Sequence, residues 1–253
     1  MYLVAAHHLI APGKRLRDDA ALWRRVRRYP LSVQAALAAA EAVRPALVEP
    51  AAAALISLAP CVGGSAELQA WVEQIGAKAQ TGTLAELRVN PTHTLHAVDN
   101  LALSDLALAL GNHGYGLGLG GAPGQAWAAL ELVLERRDPE ALVLAGDHGD
   151  NAPYVLDTAQ GVAWALAREP RAFSWDCLRG GAPAQGEPDA ERQFELVAVE
   201  REDAPGTPHP SASWGLGLAL SALLEAPPGP FSYRVPASDA DGLDAITLRW
   251  EVA

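Results

Sequence analysis

Short apolar runs closed by glycine or proline alternate along this chain with stretches whose apolar residues recur every three or four positions. Leu3–Ile10, closed by Pro12-Gly13, predicts a buried strand and a turn. Asp18 and Asp19 offer caps for a helix to about Arg28, stopped by Pro30, and Ser32 opens an alanine-rich helix through about Val43. Ala52–Leu58 predicts a second buried strand, ended by Pro60 and Gly63-Gly64. A helix from Ser65 aligns Leu68, Trp71, Val72 and Ile75, and Thr83 with Glu86 has capping-box spacing for another, shorter one. After the glycine-dense Gly111–Gly124, Pro123 leads a periodic helix to about Arg137 with Trp127, Leu130 and Leu134 on one face. Ala141–Ala145 predicts a strand, Val155–Ala167 a helix, residues 179–192 a loop and Phe194–Val199 a strand. Beyond a linker marked by Pro205, Pro208 and Pro210, a helix is expected over about Ala212–Leu224. A Pro-rich turn and an alternating strand through Ile246, Leu248, Trp250 and Val252 follow it. Strands separated by helices predict an α/β layered fold, and no internal repeat is visible.

Composition narrows the class. Half of the 253 residues are hydrophobic and 19% are charged, the opposite of the balance that keeps a chain disordered. A net charge of −11 argues against nucleic acid, which requires an excess of Lys and Arg. Two cysteines, Cys61 and Cys177, are too few for a disulfide framework and suit a reducing compartment. The longest nearly apolar run, Ala51–Pro60, falls short of the roughly 20 residues of a bilayer helix. The segment Met1–His8 lacks the basic start of a secretory signal. The expectation is a cytoplasmic protein with no membrane span.

Four groups of residues are candidates for chemistry. Gly116-Leu117-Gly118-Leu119-Gly120-Gly121 satisfies G-x-G-x-x-G ahead of a helix, with Asp147 after the next strand. That is the pattern of a dinucleotide site, and equally of a glycine-rich strand under close packing. Gly111-Asn112-His113 and Gly146-Asp147-His148-Gly149-Asp150-Asn151 are fragments of metallophosphoesterase motifs in reversed order, and His93 and His96 add two imidazoles. Polar residues at strand ends explain them as well. Cys61 and Cys177 are potential nucleophiles, but neither context would depress a thiol pKa. Lys14, Arg15, Arg17, Arg24, Arg25, Arg27 and Arg28 form either a positive ridge for an anionic partner or a solvated helix face.

A longer segment carries a resemblance. Asn90-Pro91-Thr92-His93-Thr94-Leu95-His96-Ala97-Val98-Asp99-Asn100 is followed by the apolar Leu101–Leu110, then Gly111-Asn112-His113-Gly114, a Gly/Leu strand and the helix from Pro123. In order and spacing this resembles the N-terminal half of β-ketoacyl synthases, particularly their chain-length-factor type. Pro91 matches the family proline, Asn100 its asparagine, and Gly111 and Gly114 its two turn glycines. The resemblance implies half of a thiolase-like fold: α/β, with a mixed, mostly parallel sheet flanked by helices on both faces. Residues 1–205 would form that domain, and 206–253 a C-terminal extension packing on it. The nucleophilic cysteine of active members falls at Pro123, and the only histidine beyond residue 150 is His209. The implied function is therefore non-catalytic and needs no cofactor or metal: a subunit pairing with an active ketosynthase in type II polyketide or fatty-acid-like synthesis. Such a truncated subunit looks like those of aryl polyene and xanthomonadin-type pigment pathways in bacteria. The interface and acyl tunnel would be lined by His96, Val98, Asn100, Leu101, Tyr115, Leu117, Leu119 and Pro123. An acyl carrier protein is a further candidate partner, docking more naturally on the catalytic subunit. Two other readings are a nucleotide-cofactor enzyme using Gly116–Gly121, and a stand-alone protein binding acyl chains or carrier protein.

Overall fold

The computed structural model describes residues 1–12, 20–58, 66–83, 100–119, 125–148, 158–179, 182–183, 192–202, 212–235 and 245–253. Among these residues ten strands join one sheet: β1 (Tyr2–Pro12), β2 (Ala54–Leu58), β3 (Gly116–Leu119), β4 (Glu140–His148), β5 (Thr158–Ala167), β6 (Ser174–Arg179), β7 (Ala182–Pro183), β8 (Phe194–Glu202), β9 (Gly229–Val235) and β10 (Ala245–Val252). The helices are α1 (Ala20–Val26), α2 (Leu31–Val43), α3 (Ala66–Gln80), α4 (Leu101–Leu110), α5 (Gln125–Glu135) and α6 (Ala212–Glu225). Eight strands run in the order β3-β2-β4-β5-β1-β8-β10-β9, and β6, carrying β7, pairs with the part of β1 that β8 leaves open.

The sheet is α/β and mixed, but mostly antiparallel rather than mostly parallel. Parallel pairing is confined to β2–β3, β2–β4 and β1–β6. β5 runs against both β4 and β1, and β8, β10 and β9 are antiparallel throughout. A parallel return needs a crossover of a dozen or more residues; the short span from His148 to Thr158 returns the chain antiparallel instead. The expected helix over Val155–Ala167 is this strand β5. Both of its faces are apolar because both are covered, so its sequence lacks the alternation of a half-exposed strand. Val162, Trp164 and Leu166 enter one core, and Ala163, Ala165 and Ala167 the other. The expected Pro-rich turn after α6 leads directly into β9, and Ser174–Arg179, unassigned in sequence, is β6.

Helices lie on both faces. α1, α2 and α4 pack on the face presenting Leu55, Leu142 and Ala163, and α5 and α6 on the face presenting Ile56, Val143 and Trp164. Beyond β1, the described helices cover the second face. The exposed side of β8, β10 and β9 carries Val197, Arg249, Glu251 and Arg234. α2 approaches the sheet at Gly146 and Gly161, where an added Cβ would lie 2.0 Å from the Ser32 carbonyl and 2.1 Å from that of Ala35. Glycine lets the alanine face of α2 rest on sheet backbone.

Candidate functional site

Among the described residues β3 is the edge strand at one end of the sheet, hydrogen-bonded only to β2. Its alternation divides its two sides. Tyr115 and Leu119 pack against the α5–α6 core, and Gly116 and Gly118 face α4. A Cβ on Gly118 would sit 3.0 Å from the Cβ of Asn100, and one on Gly116 would meet Leu103 Cδ1 at 3.7 Å. The glycines therefore seat the first turn of α4 on the strand. They lie inside β3 rather than in a turn between strand and helix, which is where a dinucleotide loop would need Gly116 and Gly118.

α4 is almost wholly apolar. Leu101, Leu106 and Leu110 are buried, Leu103 lies over β3, and Leu108 is 84% exposed. Gly111 ends the helix with φ of 59°, a left-handed C-cap. The next residue, Asn112, locks the turn: its Nδ2 donates to the carbonyls of Pro50 and Ala53, both at 2.9 Å, and its Oδ1 accepts from the Gly114 amide at 3.1 Å. Gly114 itself would bring a Cβ within 2.6 Å of the Ala52 carbonyl. The Arg136 guanidinium lies 3.6 Å from the centre of the Tyr115 ring at the start of β3. Replacing Asn112 with Ala strands three backbone groups and is expected to cost about 1–3 kcal/mol, read by urea denaturation.

Of the residues expected to form the site, Asn100 and Leu101 begin α4, Tyr115 precedes β3, and Leu117 and Leu119 lie within it. The structure brings Asn100 against Gly118, between those two leucines. His96, Val98 and Pro123 fall outside the described residues, as do His93 and Cys61. Leu103 and Leu108 were not singled out in sequence; the signal for them was the apolar run Leu101–Leu110, too uniform to show a face.

The metal-motif fragments have structural roles where they are described. His113 is exposed, and Asp147, 1% exposed, accepts a hydrogen bond from the Ser213 hydroxyl at the start of α6. Beside them, Gln160 meets the buried His8 ring at 2.8 Å, Nε2 to Nε2. That ring lies so close to α6 that a Cβ on Gly217 would be 2.4 Å away. These side chains, from β1, β4, β5 and α6, tie α6 to the sheet. No group of three or more His, Cys, Asp or Glu placed to hold a metal ion occurs among the described residues, and no helix there is long and apolar enough to cross a membrane.

The fold is that of the β-ketoacyl synthase-like, thiolase-type proteins. The chain is similar to a solved ketosynthase (ApeO) in complex with its chain length factor (ApeC) from Xenorhabdus doucetiae, with a TM-score of 0.50 and 12% identity, over 89% of this chain and 79% of that one. A β-ketoacyl synthase from Burkholderia phymatum STM815 aligns at a TM-score of 0.41 and 13% identity, over 73% of this chain and 50% of that one. The tetronic acid condensing enzyme AbyA1 aligns at 0.37 and 18%, over 97% of this chain and 63% of that one. No family model matches the chain, and no curated protein matches its sequence.

Proposed function

We propose that this chain is a non-catalytic, chain-length-factor-like subunit. It pairs with an active ketosynthase in type II polyketide or fatty-acid-like synthesis, of the aryl polyene kind, and shapes the acyl tunnel of its partner. The observation that carries the reading is the β3 edge: a strand whose backbone has no partner on one side among the described residues, alternating glycine with leucine, backed by an apolar helix whose Leu108 is exposed. Such an edge is a template for pairing with another chain unless it is covered. A ketosynthase seated there would give those groups their partners, as a chain length factor accompanies the ketosynthase in the similar solved complex.

Absence of catalysis rests on Pro123. A thioester-forming condensation needs a thiolate at that position, and proline supplies none. The residues from His93 to Leu103 would line the partner's tunnel, and the partner would take the carrier-bound substrate.

Co-expression with a ketosynthase encoded alongside is expected to give a one-to-one complex by size exclusion with light scattering. Leu117→Asp, which places a charge on the half-buried edge, is expected to abolish it. Pro123→Ala should leave condensation by the pair intact. Unchanged pairing by Leu117→Asp would remove β3 as the interface, and an acyl adduct trapped on the purified chain would end the non-catalytic reading.

A further inference from the structure

Seven of the 19 Lys and Arg residues lie between Lys14 and Arg28, in a chain of net charge −11. Within the described part of that run, one arginine serves the fold. Arg25 bonds Glu41 and Asp105, both at 2.8 Å, Arg44 joins the same Glu41, and the Tyr29 hydroxyl donates to Asp105. This network fastens α1 to α2 and α4. Arg24, Arg27 and Arg28 are different: all are exposed, and among the described residues none meets a carboxylate. Arg24 lies in the last turn of α1, and Arg27 and Arg28 directly follow the helix. Among the described residues the chain therefore keeps three uncompensated cations at the end of a helix that Arg25 ties to α2 and α4.

We infer that the C-terminal end of α1 and the turn after it, with Arg44 beside them, dock a partner protein presenting a row of carboxylates. Charge complementarity selects the partner. A bilayer would need an apolar face from the same helix, but Leu22 and Val26 are already buried in the core. A long polyanion would meet the repulsion of an otherwise acidic molecule. A compact acidic surface engages the arginines alone. The surface lies on the opposite sheet face from α5 and does not depend on the β3 edge.

The test titrates a labelled helical peptide, with Glu at every third or fourth position, into the full chain and follows anisotropy. Binding is expected at low ionic strength, weakening as salt rises. Arg27→Glu should weaken it at least about fivefold, and combining it with Arg24→Glu and Arg28→Glu should abolish it. Arg137→Glu, exposed just beyond α5, should change it less than about twofold. All four side chains are exposed, so thermal midpoints should be unchanged. No binding at low salt, or equal effects of Arg27→Glu and Arg137→Glu, would overturn the inference. Tighter binding of duplex DNA or phosphatidylserine vesicles than of the peptide would overturn the choice of an acidic protein.

Discussion

Trp164→Ala is expected to lower the unfolding free energy by about 3–5 kcal/mol, the range for emptying a large buried site. Trp164 is wholly buried at the centre of β5 and meets Trp250 edge-on, with ring centroids 5.9 Å apart at 67°. It joins the first strands of the sheet to β10, so the cavity would open where the two parts of the core meet. At about 2–4 °C per kcal/mol for a chain of this size, the thermal midpoint should fall by about 10 °C. The Trp164 Nε1 has no acceptor among the described residues. Trp164→Phe, which keeps an aromatic ring and removes that donor, should therefore cost much less. Denaturant melts with an unchanged slope would confirm a loss of native packing; equal losses from the two variants would contradict the account.

Glu140 is expected to give the second large effect and to couple stability to pH. Its carboxylate, 2% exposed, accepts the Val48 amide at 2.9 Å, the Glu49 amide at 2.8 Å and the Arg171 guanidinium. Burial alone would raise its pKa; the Val48 amide, Arg171 and the Glu49 amide outweigh burial and hold it below the ordinary 4.5. Glu140→Ala leaves two amides without their acceptor and Arg171 with the Ala46 carbonyl but no carboxylate, at a cost of about 3 kcal/mol at neutral pH. A depressed carboxylate stabilises the fold fully above its unfolded pKa and loses that contribution as pH falls through the folded value. The gap between wild type and Glu140→Ala should accordingly be constant above about pH 5.5 and close as pH drops below 4.5. Urea melts across that range measure it, and a gap that widened in acid would contradict the assigned contacts.

Helices were the most legible part of the sequence. The expected α2, α5 and α6 occur close to their anticipated bounds: α5 showed the periodicity of a helix with one wetter side, whereas α2 and α6, buried over most of their surface, stood out as alanine- and leucine-rich runs between serine or proline stops. β10 was equally plain, with Leu248, Trp250 and Val252 inward and Arg249 and Glu251 outward. β5 failed for the complementary reason. A strand roofed by helices on both sides carries apolar residues on both faces, and the unbroken run Gly161–Ala167 can be mistaken for a buried helix. Strand direction was not legible either: no residue of β5 or β8 records which way its neighbour runs, and the expectation of parallel pairing came from the resemblance. At the site, the glycines were readable as a pattern but not as a purpose. Only the position of Asn100 beside Gly118 separates a helix seat from a phosphate loop.

The position of β1 bears on how the molecule is made. β1 is central to the sheet, yet its ladder partners are β5, β6 and β8, the earliest of which begins at Thr158. During synthesis its apolar residues leave the ribosome long before any strand exists to receive them. Pairings so distant along the chain fold slowly and expose sticky segments meanwhile, so recovery from denaturant should be sluggish, and a nascent chain halted before β5 would be a natural client for chaperones.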